Sequence, residues 1–465
     1  MKVRIILFYG WVVIVGLWAS PALAQKKSVA EEILDILKAK DQISEQQYRD
    51  LLNKARAESE QTETVVDLKE TVVNLQETVK QAPKAASNSL NVFWKEGLRM
   101  ETGDGDFKLR IGGRVQHDWV MYSTDRKIRD AVNGGESIGD GIEFRRARIN
   151  IQGDIYHNTA YRLELDFAGG EVAFKDAYIE VLDIPYVGTY TVGHYKEPFS
   201  LEELTSSRFI TFMERSLPNA FAPSRNTGMR IENTMLNERA TWAVGFFREV
   251  DDTADGFGPD DNYNITARAT ALPWYLDNGK QLVHLGVSYS HKFLDGRDFR
   301  FRSRPETHLG PRFVDTASFA ADGIDLVNPE FALVYGPASL QAEWIRAIVD
   351  TPEGSGRNFD GWYVYGSYFL TGEHRVYKTG AFDRVKPLRN FDWNGSWGAW
   401  EVGARYSYLD LNDGDDIRGG ILGDFTLGIN WYLNPNLRFM FNYVLADAKS
   451  RGEANIIESR FQADF

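Results

Sequence analysis

The chain has 465 residues, no cysteine, and 66 acidic against 53 basic side chains, a formal net charge of −13. That balance argues against an electrostatically driven nucleic-acid binder, and the lack of cysteine excludes disulfides and thiolate metal sites. A mean hydropathy of −0.37 with one long apolar run excludes a helical membrane protein, while 13% aromatic residues suits a chain with two membrane interfaces.

The apolar run is N-terminal. Lys2 and Arg4 precede it, it spans 5–17, and Ala22-Leu23-Ala24 forms an A-x-A cleavage site, so 1–24 is predicted to be a signal peptide. Residues 25–81 are predicted to be a periplasmic helical segment. Ser44-Glu45-Gln46-Gln47 fits a capping box, and Val65, Leu68, Val72, Leu75 and Val79 form an a/d seam. Two heptads suit either one amphipathic helix or a three-stranded coiled coil held by a trimeric domain. Residues 82–96 are predicted to be a linker, broken by Pro83, and 97–465 the main domain.

From there the period is two. Leu109, Ile111, Val115 and Trp119 alternate with Arg110, Arg114, Gln116 and Asp118; Arg146, Arg148, Asn150 and Gln152 alternate with Ala147, Ile149 and Ile151. Arg162, Glu164 and Asp166, then Asp176, Tyr178 and Glu180, continue the pattern. Further strands fall near 189–196, 227–236, 239–249, 262–272, 281–291, 329–336, 338–347, 361–370 and 398–410. The hairpin 424–445, turning at Asn434-Pro435-Asn436, and a last strand at 455–465 complete about sixteen. Tight turns alternate with long connections at 122–141, 197–226, 250–261, 292–328 and 348–360. An even count, tight turns on one side, long loops on the other, and charges too numerous for a dry interior predict an all-β, antiparallel transmembrane barrel with polar side chains facing a wet lumen. The long connection 371–396, on the short-turn side, is predicted to fold at the periplasmic mouth. Phe465 ends the chain with an aromatic, as outer-membrane barrels commonly do.

The chemistry concentrates early. Arg114, Arg146 and Arg148 share the polar face of neighbouring strands. The segment 196–230 adds Lys196, Arg208, Arg215, Arg225 and Arg230 with Ser206 and Ser207, and it is too apolar (Phe199, Leu201, Ile210, Phe212) for a solvated loop. It is expected to fold into the barrel and narrow it, with arginines and hydroxyls replacing an anion's hydration. Some arginines should instead pair structurally with Asp154, Glu164, Asp166 or Glu180. Asp176 would moderate the field. No hydrolase or zinc motif is present, so no enzyme, cofactor or metal is predicted; Asp413-Gly414-Asp415-Asp416 reads as a solvated acidic loop.

GGRVQ (112–116), FRRARINIQGD (144–154), KDAYIEV (175–181), GHYKEPFSLEELTSSRFITFMERS (193–216) and GGILGDFTLGINWYLNPNLRFMFNYV (419–444) resemble the phosphate-selective porins O and P. That resemblance implies a homotrimer of sixteen-stranded barrels in outer-membrane lipid, an inward third loop, and uptake of phosphate or other small anions. It implies constriction arginines at Arg114, Arg146 and Arg215, an eyelet acid at Asp176, and anion-contacting Ser206 and Ser207. Glu203 stands where phosphate-specific members carry lysine, so only a weak preference for phosphate over chloride is expected. The alternatives are a less selective general porin and an envelope tether that contacts the cell wall through 25–81.

Overall fold

The computed structural model describes residues 34–35, 38–39, 44–54, 89–256, 262–354, 356–414 and 416–465. The predicted signal peptide, the seam at 65–79 and the first part of the predicted linker lie outside them. The chain divides into two units, Met1–Lys84 and Ala85–Phe465. In the first, residues 45–54 are helical and the capping box forms: Ser44 N–H donates to Gln47 Oε1 at 3.0 Å, and Gln47 N–H donates to Ser44 Oγ at 3.3 Å.

The second unit opens with a hairpin, β1 (Leu90–Trp94) and β2 (Leu98–Thr102), whose second strand pairs with β3 (Phe107–Thr124). Leu90–Trp94 falls within the stretch assigned to a linker from sequence, because five residues are too few to display a period. From β3 the chain continues antiparallel through β4 (Gly141–Ile155), β5 (Thr159–Asp166), β6 (Ala173–Ile184), β7 (Gly188–Lys196), β8 (Arg225–Met235), β9 (Ala240–Arg248), β10 (Tyr263–Leu276) and β11 (Gln281–Phe299). A short pair, β12 (Arg302–Ser303) and β13 (Val314–Asp315), precedes β14 (Phe319–Tyr335), β15 (Ala338–Asp350) and β16 (Arg357–Phe369). A second short pair, β17 (Val376–Lys378) and β18 (Ala381–Asp383), precedes β19 (Ala399–Asp413), β20 (Ile417–Asn434), β21 (Leu437–Ala448) and β22 (Gly452–Asp464). β22 pairs back onto β3, with Asp464 opposite Arg114, so sixteen strands close the barrel. β11 and β14 run past their predicted ends, and the long loop expected at 292–328 shrinks to 300–318. The hydrogen-bond ladder continues there after the hydrophobic alternation has stopped.

Closure depends on two glycines. Phe465 N–H donates to Gly113 O at 3.0 Å, and Gly113 N–H donates back to Phe465 O at 2.8 Å. A Cβ on Gly113 would lie 2.6 Å from Arg148 O and 2.8 Å from the Phe465 ring; one on Gly112 would lie 2.6 Å from Phe465 O. Outward faces carry the apolar residues of the alternation: Trp119 and Met121 on β3, Ile149 on β4, Phe425, Leu427 and Ile429 on β20, Phe441 on β21. Trp400, Trp431 and Phe439 stack near the short turns, as an aromatic girdle requires.

The lumen is not uniformly polar. On the loop-side ends of β14–β22 the inner face carries Ile324, Leu326, Val349, Phe359, Leu409 and Val444, packed on Phe199, Phe221, Phe301 and Phe313. These wall positions face folded loops rather than water, and so they are apolar. The segment 371–396 reaches farther than the periplasmic mouth: Phe382 joins Leu201, Leu272, Leu282, Ala332 and Val334 inside the barrel. Arg268 Nη2 donates to Gly380 O at 2.8 Å, and Tyr377 Oη lies 2.7 Å from His284 Nδ1. The principal lumenal cavity lies on the opposite side, against β3–β8.

Candidate functional site: an arginine-lined passage

The connection between β7 and β8 folds inward, as its apolar content predicts, and the wall holds its backbone. Arg438 Nη1 donates to Ile210 O at 2.9 Å, Asn430 Nδ2 to Thr211 O at 2.8 Å, Arg460 Nη1 to Met213 O at 2.5 Å and Arg405 Nη1 to Glu214 O at 3.0 Å. Arginines on the second half of the barrel are therefore loop anchors. Arginines on the first half face a cavity of about 780 Å³ between this loop and strands β3–β8.

Every residue singled out from sequence for the passage lines that cavity: Arg114, Arg146, Arg148, Asp176, Lys196, Glu203, Ser206, Ser207, Arg208, Arg215, Arg225 and Arg230. Arg114 Nη1 donates to Ser207 Oγ at 2.8 Å and lies 3.4 Å from Ser206 Oγ, while its Nη2 donates to Glu164 Oε1 at 2.5 Å. Arg148 shares that carboxylate at 2.9 Å and takes Asp166 at 2.6 Å. Arg162 shares it again at 2.8 Å and pairs with Asp176 at 3.0 Å; Asp176 also accepts from Arg225 Nε at 2.9 Å. Three guanidinium groups thus converge on the buried Glu164. Of the acids expected to form structural pairs, Glu164 and Asp166 do so here, and Glu180 lies 4.0 Å from Arg230. Asp154 pairs with Lys108 instead, nearer the surface.

Arg215 serves the loop itself, donating to Glu202 O, Glu203 O and Thr205 O at 3.0 Å each. Glu203 is clamped between Lys196 Nζ at 2.9 Å and Arg215 Nε at 3.2 Å. Arg146 donates to Gln116 Oε1 at 2.9 Å, and its Nε has no acceptor among the described residues. Arg208 lies over the Phe209 ring at 5.5 Å; among the described residues no carboxylate reaches ion-pair distance of it. Arg230 stacks on Tyr195 at 4.9 Å.

Lys196 and Arg225 come with the loop segment grouped from sequence; the cavity also takes in Arg145 and Arg162, which sequence alone did not assign to the site. Arg162 was legible, since it occupies a polar-face position of its strand. Arg145 was not: by period it should face lipid, but a bulge pairs Gln116 with Arg146 and His117 with Phe144, turning Arg145 inward onto Glu214 at 2.9 Å. A second cavity of about 390 Å³ shares Arg162 and Tyr178 with the first and continues past Arg99, Lys108 and Arg110.

A closed barrel with an apolar exterior, a girdle of aromatics and a charged lumenal passage defines an outer-membrane porin, a channel protein. The profile of the phosphate-selective porin O and P family matches residues 110–465. An uncharacterized protein of Caulobacter vibrioides is 30% identical over 82% of this chain and 78% of its own length. Porin O of Pseudomonas aeruginosa is 29% identical over 76% of this chain and 86% of its own. Among solved structures, the anion-selective porin from Comamonas acidovorans aligns at 13% identity, covering 77% of this chain and 100% of that one, with a TM-score of 0.48. The chain belongs to the phosphate-selective porin O and P family and resides in the bacterial outer membrane.

Proposed function

We propose that this protein is an anion-preferring channel whose selectivity passage is the cavity lined by Arg114, Arg146, Arg148, Arg208 and Arg225 together with Ser206 and Ser207. The observation that carries this reading is local charge: eleven basic side chains line the cavity against four acidic ones. Glu164, Asp166 and Glu214 stand behind that lining and still leave cations in excess. Low-dielectric walls focus the resulting field, so the negative total of the chain does not decide what enters. A phosphate or other small anion would exchange water for guanidinium and hydroxyl donors. Glu203 withdraws Lys196 and Arg215 from that set, which supports a weak preference for phosphate over chloride.

Arg208 is the informative residue, because its removal leaves no buried carboxylate without a partner. Arg208→Ala should fold and insert normally, yet shift the zero-current potential in a KCl gradient toward zero and weaken block of chloride current by phosphate. A cation-preferring wild type, or an unchanged potential in the variant, would sink the reading. We further infer a homotrimer with a passage in each barrel, supported by the seam at 65–79; cross-linking of the undenatured protein should give trimers. Cell-wall contact through 25–81 would be a separate role, testable as loss of envelope attachment with unchanged conductance on deleting 26–81.

A further inference from the structure

The start of the in-folded loop meets the wall through Phe199, through the Leu201 side chain and through Ser200 N–H, which donates to Ser288 Oγ at 3.2 Å. One buried wall carboxyl also takes two consecutive loop amides. β7 ends at Lys196, and five strands separate it from β15, which carries Glu343. Glu343 is 3% exposed and accepts four hydrogen bonds. Its Oε2 accepts from Leu201 N–H at 2.9 Å and from Asn328 Nδ2 at 2.9 Å; its Oε1 accepts from Glu202 N–H at 2.8 Å and from Tyr363 Oη at 2.5 Å. Two of those donors are consecutive amides of the helical turn Leu201–Leu204, and the other two lock the carboxylate in place.

That turn faces the passage from its other side. Its carbonyl end is held by Arg215, which also pairs with Glu203, and by Lys196. Ser200, just before the turn, has φ 65° and ψ 131°, a conformation unfavourable for a residue with a side chain. The surrounding contacts must hold it. Farther along, the stretch 210–214 has four separate wall donors to its carbonyls. The amides of Leu201 and Glu202 have Glu343 alone as their wall partner among the described residues. A buried carboxyl group accepting four N–H and O–H donors satisfies all of them, and its removal leaves every one unpaired in a site of low dielectric.

We propose that Glu343 is a positioning residue for selectivity: it holds the turn Leu201–Leu204 across the lumen and thereby sets where Glu203, Arg215 and Lys196 stand on the passage wall. Glu343 lies outside the passage and touches no permeating ion. Loss of its grip lets the turn swing, parts Glu203 from its two cations and widens the opening.

The test is single-channel recording of the purified full-length protein in planar bilayers, with Glu343→Gln, Glu343→Asp, Tyr363→Phe and Glu330→Gln beside wild type. Glutamine presents an amide donor to one of the two loop amides and should give a larger, noisier conductance with a zero-current potential nearer zero. Aspartate retains the carboxyl group and should restore most of the wild-type potential. Tyr363→Phe removes one lock and should shift both readings part of the way. Glu330 is a comparably buried wall carboxyl that touches no loop atom directly, accepting from Arg268 and from Ser288, whose Oγ in turn accepts from Ser200 N–H at 3.2 Å. Its glutamine variant should keep the wild-type potential. Wild-type values in Glu343→Gln, or an equal shift in Glu330→Gln, would overturn the proposal. Should neither Glu343 variant yield channels, wild-type values in Tyr363→Phe would overturn it instead. The proposal rests on the passage described above, yet the two fail separately. A wild type without anion preference defeats the passage reading, while the conductance change still reports on the turn.

Discussion

Glu203 brings a carboxylate to the wall of a passage rich in cations, and its neighbours decide what that charge does. Burial pushes its carboxyl up, but Arg215 and Lys196 outweigh burial and hold it down at about 2. A carboxyl depressed in the folded protein contributes stability that is fully present above its unfolded value and is lost as pH falls through the folded one. For Glu203 that window runs from about 4.5 down to about 2. The chloride selectivity of the channel should therefore hold from neutral pH to about pH 4, where a solvated glutamate is already titrating. A drift of the zero-current potential over that range that disappears in Glu203→Gln would show Glu203 unpaired. Glu203→Gln should free both cations and strengthen block of chloride current by phosphate; an unchanged block would place Glu203 off the pathway. Much of this site was legible in sequence, because strand alternation fixes which side chains share a wall. Arg114, Arg148 and Asp176 could be read that way. The Lys196–Glu203–Arg215 clamp could not, since it depends on a loop folding back onto the end of its own strand.

At the scale of elements, the inserted hairpin β17–β18 is docked by Phe382, with Tyr377 packed on the same cluster and Arg268 holding Gly380 O. Phe382 is 3% exposed, and the Arg375 guanidinium lies 3.5 Å from its ring centre. Truncating a buried phenylalanine costs about 3–5 kcal/mol, more than a short hairpin with few other apolar contacts can absorb. Phe382→Ala should therefore release the hairpin from the lumen. Trypsin should then cut after Lys378 in the otherwise intact barrel, and single-channel conductance should rise; a protected Lys378 with unchanged conductance would assign the docking to Arg268 and Tyr377. Sequence could flag this segment only as a connection too long for its side. Strands as short as Val376–Lys378 carry no readable period, and the partners that bury them lie on distant strands, from Val334 back to Leu201. The apolar inner faces near Phe359 and Leu409 were hidden for the same reason: they answer to loops whose path local pattern does not reveal.

The whole molecule depends on one seam, where β22 meets β3. Gly113 leaves space for the Phe465 ring and for the backbone of β4, and no rotamer of a larger residue avoids a Cβ 2.6 Å from Arg148 O. Gly113→Val should prevent closure, seen as loss of the heat-modifiable, folded band on gels. A folded band at wild-type abundance would mean that the seam can shift to accommodate a side chain. Elsewhere in the barrel the antiparallel count and the alternation of short and long connections were readable from periodicity, since each membrane strand repeats the same physical problem.

Every residue lining the principal cavity lies between Arg114 and Asp252, whereas Glu343, Arg405, Asn430, Arg438 and Arg460, which hold the loop over it, lie in the second half of the chain. If this cavity is the selectivity passage proposed above, what the pore admits is encoded in one uninterrupted stretch, and what holds the loop over it is encoded in another. A recombination event with two breakpoints could exchange the first stretch between relatives and carry a complete set of passage side chains with it. The recipient would need to retain the anchoring side chains, which include Gln462 on Arg208 O and Ser288 on Ser200 N–H besides those five. Solute preference in such a lineage can then change in a single inheritance step, with the barrel that carries it left intact.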